Sequence, residues 1–460
     1  MKRFTAFLIA LALLFAAAVG VIAGKVNALS DKVTVTERTL YGDKAAADGL
    51  TLTMGTTYLG RLYWDTDYTV GAGTKPETVY SYYAEEQREP GRRIYGFFMM
   101  DGIDLYPTHT LAEGEEPTGI DAAISALWEA TPNGQKATET VYLKDYYDYY
   151  PMIVSIETGA NTALKDGPTH QAFSEYFRIP VEDRDTVTIK ANKVQDSASF
   201  NNMDSYMYGD YFTFVTNDAV AESRNICFFE FNNCYYDTDG VKNYVDTSLI
   251  PGGWGIYAFT FDPDVLFDSV NKGEGFLTGD IQTVLPLEKE TEVYALLLNG
   301  DESRLLIFTE ETDGAYLTVL DTDTLLETQR IRVGDTGFYQ IDTEEDFTVA
   351  ATQDSFTVLT EENGVFTLQY TVNTPILPEI VSNKCWSIYD MDYKNGRLAW
   401  AGAVSDYRSE HNCDYCMAVF DKTGLLYLGE FTNGTGAPKS DFWNYNCDRA
   451  ANDMLDVKWK

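Results

Sequence analysis

The side chains that could bind a metal ion lie mainly near the C-terminal end of this chain. His411, Cys413 and Cys416 occur in the run HNCDYC, with Cys385 and Cys447 on either side. A Cys-x-x-Cys pair can supply two thiolates to a structural zinc ion, with further ligands from distant positions. The same cysteines can instead form disulfides in an oxidising compartment, and redox chemistry at the pair is a third alternative. The spacing leaves these alternatives open.

The remaining two cysteines flank the run CFFEFNNC, which predicts a hairpin. An even number of cysteines in an exported chain favours pairing, although the sequence does not give the connectivity. All six are therefore disulfide candidates: Cys227, Cys234, Cys385, Cys413, Cys416 and Cys447.

Pairs of aspartates recur in the turns, and the pair Asp237 and Asp239 is followed by Gly240. Two such carboxylates could bind calcium if backbone carbonyls completed the shell. Aspartates in tight turns also accept hydrogen bonds from their own backbone. Calcium is thus one interpretation of Asp237 and Asp239, and turn capping is the other. No other cofactor is indicated.

Four tyrosines are concentrated in the run DYYDYYP, at Tyr146, Tyr147, Tyr149 and Tyr150. An exposed tyrosine can stack on a sugar ring or anchor a protein partner. Tyrosines in strands also serve as ordinary packing residues. The run is our candidate for ligand contact.

This sequence lacks the motifs of several classes of enzyme. The three histidines, His109, His170 and His411, form no paired zinc-protease motif, and no serine lies in a G-x-S-x-G run. The run at 434–440 has a proline where a phosphate loop requires glycine. Paired carboxylates for glycoside cleavage remain open because 71 acidic residues offer many pairs. We therefore predict no catalytic residue.

The chain is strongly acidic, with a net charge of −37 over 460 residues. Such a surface repels phosphate backbones and anionic lipid headgroups, so nucleic acid is not an expected partner. Acidity of this kind also keeps an exported protein soluble.

The first residues have the pattern of an export signal. Met1-Lys2-Arg3 is positively charged, and residues 4–23 carry no charged side chain. Such a segment is either a cleaved signal peptide or a membrane anchor. Both interpretations predict an extracytoplasmic protein, secreted or held at the plasma membrane by residues 4–23 alone.

The rest of the chain alternates apolar and polar residues in short runs that end at Gly, Asn or Asp, which predicts strands. Sets of four such runs begin at residues 293, 338 and 386. Four short strands recurring at this interval are typical of propeller blades, since one blade cannot bury both of its faces alone. An early strand at 33–41 is expected to complete the last blade. A run at 173–180 is also assigned as a strand, and 120–128 as a helix.

The run from Ala418 to Tyr427 (AVFDKTGLLY) resembles the repeat of extracytoplasmic β-propellers of the quinoprotein-like and WD40-like kind. In those repeats a strand ends in Asp and turns through Thr-Gly. The resemblance implies a propeller, but the adjacent cysteine pair that accompanies the quinoprotein cofactor is missing, so no cofactor is implied.

These observations predict an all-β protein with about seven four-stranded blades, six or eight being alternatives. Residues 1–28 would be the signal or anchor helix, 33–433 the propeller, and 434–460 a tail packed on the last blade. The expected function is noncatalytic binding or scaffolding, with an unidentified protein or glycan partner at the cell surface. A glycan-active hydrolase or lyase and a calcium-stabilised structural protein are the alternatives.

Overall fold

The computed structural model describes most of the chain, with gaps. The described residues are 2–30, 34–58, 62–79, 96–101, 103, 119–157, 161–164, 167–193, 206–214, 216–237, 239–266, 275–335, 337–352, 355–373, 385–404, 413–434 and 455–460.

The described residues include few α-helices. They are α1 (Lys2–Ser30), α2 (Ile120–Ala130), α3 (Gly167–Tyr176) and α4 (Pro263–Leu266). The predicted helix at 120–128 is confirmed as α2, which buries Ile120, Ile124 and Leu127 along one face. Among the helices of the described part, none has the length and apolar character needed to cross a membrane.

Strands make up most of the described chain, as the sequence predicted. The first sixteen are β1 (Thr34–Gly42), β2 (Leu50–Tyr58), β3 (Leu62–Thr69), β4 (Gly73–Val79), β5 (Gly96–Asp101), β6 (Lys136–Tyr142), β7 (Met152–Glu157), β8 (Asn161–Leu164), β9 (Thr186–Asn192), β10 (Tyr206–Asp210), β11 (Thr216–Ala221), β12 (Ile226–Phe231), β13 (Cys234–Tyr236), β14 (Lys242–Tyr244), β15 (Gly255–Thr260) and β16 (Gln282–Pro286). The others are β17 (Glu292–Leu298), β18 (Arg304–Glu311), β19 (Gly314–Asp321), β20 (Glu327–Gly334), β21 (Phe338–Thr343), β22 (Phe347–Thr352), β23 (Ser355–Glu362), β24 (Val365–Asn373), β25 (Cys385–Lys394), β26 (Arg397–Val404), β27 (Cys413–Asp421), β28 (Gly424–Gly434) and β29 (Leu455–Trp459).

The three predicted sets of four strands are confirmed. Strands β17 to β20, β21 to β24 and β25 to β28 each form an antiparallel sheet in which the strands lie in chain order. A fourth sheet, β11-β12-β15-β16, has the same plan with β13 and β14 as an inserted hairpin. Short turns favour this order because each strand pairs with the next at little loop cost.

The two ends of the chain both enter sheets. Strand β1 pairs with β28 and so joins the last set as a fifth strand. Strand β29 pairs with β2, which gives the order β29-β2-β3-β4. The sequence indicated the first pairing but not the second. One strand from the C-terminal end thus completes a sheet built by N-terminal strands.

Consecutive sheets stack face to face through both surfaces of their middle strands. In β18, Leu305 is buried against the sheet of β11, and its neighbour Leu306 is buried against the sheet of β21. The alternation of side chains along a strand makes this double burial possible. Similar apolar clusters join the sheets of β21 and β25, and those of β25 and β29.

The stack of sheets also extends beyond the sheet of β11, on the side away from β18. The three-stranded sheet β5-β7-β8 packs on the sheet of β11 through a core rich in phenylalanine that includes Phe97, Phe229 and Phe259. Six sheets therefore lie in one stacked row in the described part of the chain. Stacking of small antiparallel sheets is the arrangement of propeller blades, so the fold is all-β and propeller-like.

A further sheet, β10-β9-β6, lies with α2 and α3 on the same aromatic core. Here the prediction of a strand at 173–180 is wrong, because residues up to Tyr176 belong to α3. Thr169, Phe173 and Phe177 are the buried positions, and their spacing of four is that of a helix. The aromatic residues at 173, 176 and 177 had suggested a strand.

Candidate functional site

A cavity of about 560 Å³ lies between α3, the start of α2 and the tyrosine run that precedes β7. Three of the four candidate tyrosines line it: Tyr147, Tyr149 and Tyr150. We call this cavity the tyrosine pocket. Its size is within the range usual for small-molecule sites. Tyr146 is not in its wall and packs instead against the aromatic core.

Tyr147 holds the start of α2. The backbone N–H of Ile120 donates to its hydroxyl oxygen over 3.0 Å. The first N–H groups of a helix have no partner within the helix, so this contact satisfies one of them. Gly119 precedes the helix with φ of 57°, and a Cβ there would lie 2.3 Å from the Tyr147 hydroxyl. Only glycine allows the tyrosine to come so close.

Tyr150 is the buried anchor of the run. Its hydroxyl donates to Oδ2 of Asp185 over 2.5 Å, and the backbone N–H of Glu182 donates to the same oxygen over 2.7 Å. Burial raises the pKa of Asp185, although the hydrogen bond from Tyr150 opposes the shift. Burial likewise raises the pKa of Tyr150, so the phenol stays protonated and remains the donor.

Tyr149 is the exposed member, with 41% of its surface accessible. The guanidinium carbon of Arg178 lies 5.7 Å from the centre of its ring, a cation–π contact. Tyr149 also forms a β-bridge with Pro180, which fixes the backbone on which the ring is carried. The ring is thus held in place while part of it faces solvent.

Helix α3 supplies a polar wall. His170 shares a hydrogen bond of 2.7 Å between Nε2 and the carbonyl oxygen of Met152, so its Nε2–H is the donor. Ser174 lies one turn further along, and its hydroxyl oxygen is 3.4 Å from the same nitrogen. On the outer side Gln171 donates from Nε2 to Oε1 of Glu175 over 2.7 Å.

The sequence indicated the tyrosines but not their partners on and beside α3. His170 had been noted only as one of three histidines, and Arg178 lies almost thirty residues beyond the tyrosine run. The helical spacing of His170 and Ser174 was available as a signal, since positions four apart on a helix share a face.

The cysteines take different states in the described part of the chain. Cys227 is fully buried and Cys234 partly buried, and both are free thiols. Burial raises the pKa of both thiols, which disfavours the reactive thiolate. Cys416 is buried and disulfide-bonded. A sulfur in a disulfide does not offer a thiolate to zinc.

The other predicted metal ligands lie apart or outside the described residues. Asp237 accepts through Oδ1 the backbone N–H groups of Asp239 at 3.1 Å and Val241 at 2.9 Å. These bonds lower the pKa of Asp237, that from Val241 being the strongest influence. His411 and Cys447 lie outside the described residues, as do the side chains of Cys385 and Cys413. Within the described part, no three His, Cys, Asp or Glu side chains form a metal-binding group.

Carboxylates also occur on the first strands of the stacked sheets. Asp390 on β25 accepts the backbone N–H of Val457 over 2.5 Å, and Asp392 accepts that of Trp459 over 2.6 Å. Burial raises the pKa of Asp390 to about 7. Both carboxylates therefore hold β29 against β25.

The stacked sheets and the tyrosine pocket define a propeller-like protein with one candidate ligand site in its described part. Solved structures similar to the chain include the β-propeller domain of Cps50 (Swd1) from Myceliophteria thermophila, with 11% identity over 64% of this chain and 88% of that chain, at a TM-score of 0.24. The N-terminal domain of Nup159 is 11% identical over 52% of this chain and 55% of that one, at a TM-score of 0.24. Hsv2 of Kluyvelomyces marxianus is 8% identical over 46% of this chain and 59% of that chain, at a TM-score of 0.22.

This chain spans little more than half the length of the last two proteins. No protein-family model matches it, and no curated protein matches it by sequence. TM-scores this low carry no weight for function or for shared architecture, so the propeller-like fold follows from the stacked sheets themselves.

Proposed function

We propose that the protein is a noncatalytic binding module in which a β-propeller carries the tyrosine pocket. The observation that supports this most directly is the pocket itself, an open cavity of about 560 Å³ with an exposed, fixed aromatic ring. Asp390, which binds β29, and Asp185, which binds Tyr150, have structural hydrogen-bond partners, and burial accounts for the raised pKa of each carboxyl.

The propeller in this proposal is a closed ring. Six sheets are stacked in the described chain, and the β10-β9-β6 sheet is the candidate for a seventh blade. Strand β29 would close the ring, because it joins C-terminal chain to an N-terminal sheet. Closure in this way leaves no long sheet edge exposed.

We also propose that the module works outside the cytoplasm. The uncharged segment at 4–23 behind a positive start supports this. N-terminal sequencing of the protein isolated from its own cells tests it. A mature chain that starts near position 29, or an intact chain in the envelope fraction, is expected. An intact chain in the cytosol would contradict the proposal.

Binding through the pocket is tested with immobilised full-length protein and an extract of the source cells' envelope. Tyr149→Ala removes the exposed ring, and Tyr236→Ala is the matched control because Tyr236 is 65% exposed on β13 and does not line the pocket. We expect a component retained by the wild type and the control but lost from Tyr149→Ala, and recovered chemically unchanged.

If Tyr149→Ala retained the component as well as Tyr236→Ala does, the tyrosine pocket would not be its binding site. Recovery of the component as cleaved fragments would show an enzyme instead.

A further inference from the structure

The tyrosine pocket has two walls of different chemistry. One wall comes from the tyrosine run and the start of β7, and consists of aromatic and aliphatic groups: Tyr147, Tyr149, Pro151 and Ile153. Of these, Tyr149 exposes 41% of its surface. An apolar surface that is rigid and open to solvent suits a ligand with one apolar face.

The other wall is polar and comes from α3. The Gln171 amide and the Glu175 carboxylate bind each other through one atom each, Nε2 and Oε1. Each therefore keeps a second polar atom for a ligand, a carbonyl oxygen on Gln171 and a carboxylate oxygen on Glu175. The Ser174 hydroxyl adds a group that can both donate and accept. This wall can bond to a ligand that carries several hydroxyls.

The charges in the wall disfavour an anionic ligand above all. Asp121 and Glu175 are acidic and Arg178 is basic, and all three line the cavity. An anionic ligand would meet two carboxylates within a protein of net charge −37. A cationic ligand would be attracted by these carboxylates, but at the Tyr149 ring it would meet the guanidinium that already lies there. A neutral ligand meets no repulsion at either place.

We infer that the tyrosine pocket binds a neutral carbohydrate chain. A sugar ring has an apolar C–H face, which would lie against Tyr149, and hydroxyls at its rim, which would bond to the polar wall of α3. Each hydroxyl donates and accepts, so it matches a wall that offers amide, hydroxyl and carboxylate groups together. The inference rests on the proposed binding function and adds the chemical class of the ligand.

Affinity electrophoresis with the full-length protein tests this. The gels contain a mixed-linkage β-glucan, a xyloglucan or a galactomannan as neutral polymers, and polygalacturonate as the anionic polymer. A peptide array forms the third arm. The variants are Tyr149→Ala and Gln171→Ala, with Tyr236→Ala as control, and each is first checked for an unchanged melting temperature.

We expect at least one neutral polymer to retard the wild type and the control. Tyr149→Ala should bind at least about tenfold more weakly, and Gln171→Ala several-fold more weakly, since a central aromatic contact outweighs one exposed hydrogen bond. Equal retardation of the wild type and Tyr149→Ala would overturn the assignment of sugar binding to this pocket.

The other arms separate this inference from the proposed function. Binding to polygalacturonate or to peptides that is lost in Tyr149→Ala would overturn the neutral-carbohydrate inference and leave the binding function standing. If the wild type bound nothing in any arm, both would fall.

Discussion

Replacing Glu230 by glutamine should stabilise the protein at neutral and alkaline pH. Glu230 lies on β12 with 4% of its surface exposed, between the stacked sheets. Its Oε2 accepts a hydrogen bond of 3.0 Å from Asn217 on the paired strand β11. Burial raises its pKa from 4.5 to about 8, and the bond from Asn217 only partly offsets this. The folded protein therefore holds a proton here at pH 7.

The size of the effect follows from linkage between protonation and folding. Because the pKa of Glu230 is higher in the folded than in the unfolded state, its contribution to the free energy of unfolding is complete below pH 4.5 and falls as the pH rises toward 8. With about 1.4 kcal/mol for each pH unit, the loss for Glu230 is about 3 kcal/mol at pH 7 and approaches about 5 kcal/mol above pH 8. Glu230→Gln does not ionise, although its amide N–H groups need an acceptor at a cost of about 1 kcal/mol.

The wild type and Glu230→Gln should thus have about the same free energy of unfolding at pH 5, and the variant should be more stable by about 2 kcal/mol at pH 7. Urea unfolding at pH 5, 7 and 8.5 measures this. Glu345→Gln is the matched control, because Glu345 is exposed. A difference between wild type and Glu230→Gln that stays constant with pH would refute the reasoning, since it would mean that Glu230 has an ordinary pKa in the fold.

Three further substitutions test the contacts that order the fold. Tyr150→Phe removes the hydrogen-bond donor to buried Asp185, so the free energy of unfolding measured in urea should fall by about 1–3 kcal/mol. The same substitution at a tyrosine whose hydroxyl faces solvent should leave this free energy nearly unchanged. Asp392→Ala removes the acceptor for the backbone N–H of Trp459, so hydrogen exchange at that amide should accelerate while β1 is unaffected. Asp237→Ala should destabilise the protein at pH 7 and progressively less as the pH falls below 3.8, because a lowered pKa stabilises only where the carboxyl is ionised. A melting temperature of wild type that rises with calcium, and does not rise in Asp237→Ala, would show calcium at this turn.

The stacked sheets were predictable from sequence because their rules are local. The sets at 293, 338 and 386 consist of short apolar-rich runs joined by short turns, and each strand pairs with its neighbour, so the runs and turns were enough to locate them. The pairing of β29 with β2 was not predictable in this way. Its partners are about 400 residues apart, and five residues carry too little pattern to identify a strand.

The tyrosine run shows where sequence reasoning about the site ended. Neighbouring tyrosines of identical chemistry have separate tasks: Tyr150 binds a buried carboxylate, Tyr147 caps a helix and Tyr149 faces solvent. Their composition predicted a contact surface, but the task of each is set by elements that follow in the chain, α3 and the turn at Asp185. Burial, rather than residue type, therefore leaves Tyr149 accessible to a ligand and gives the other two tyrosines structural roles. The same reasoning explains why Tyr149→Ala should reduce binding without unfolding the protein, whereas Tyr150→Phe should act on stability.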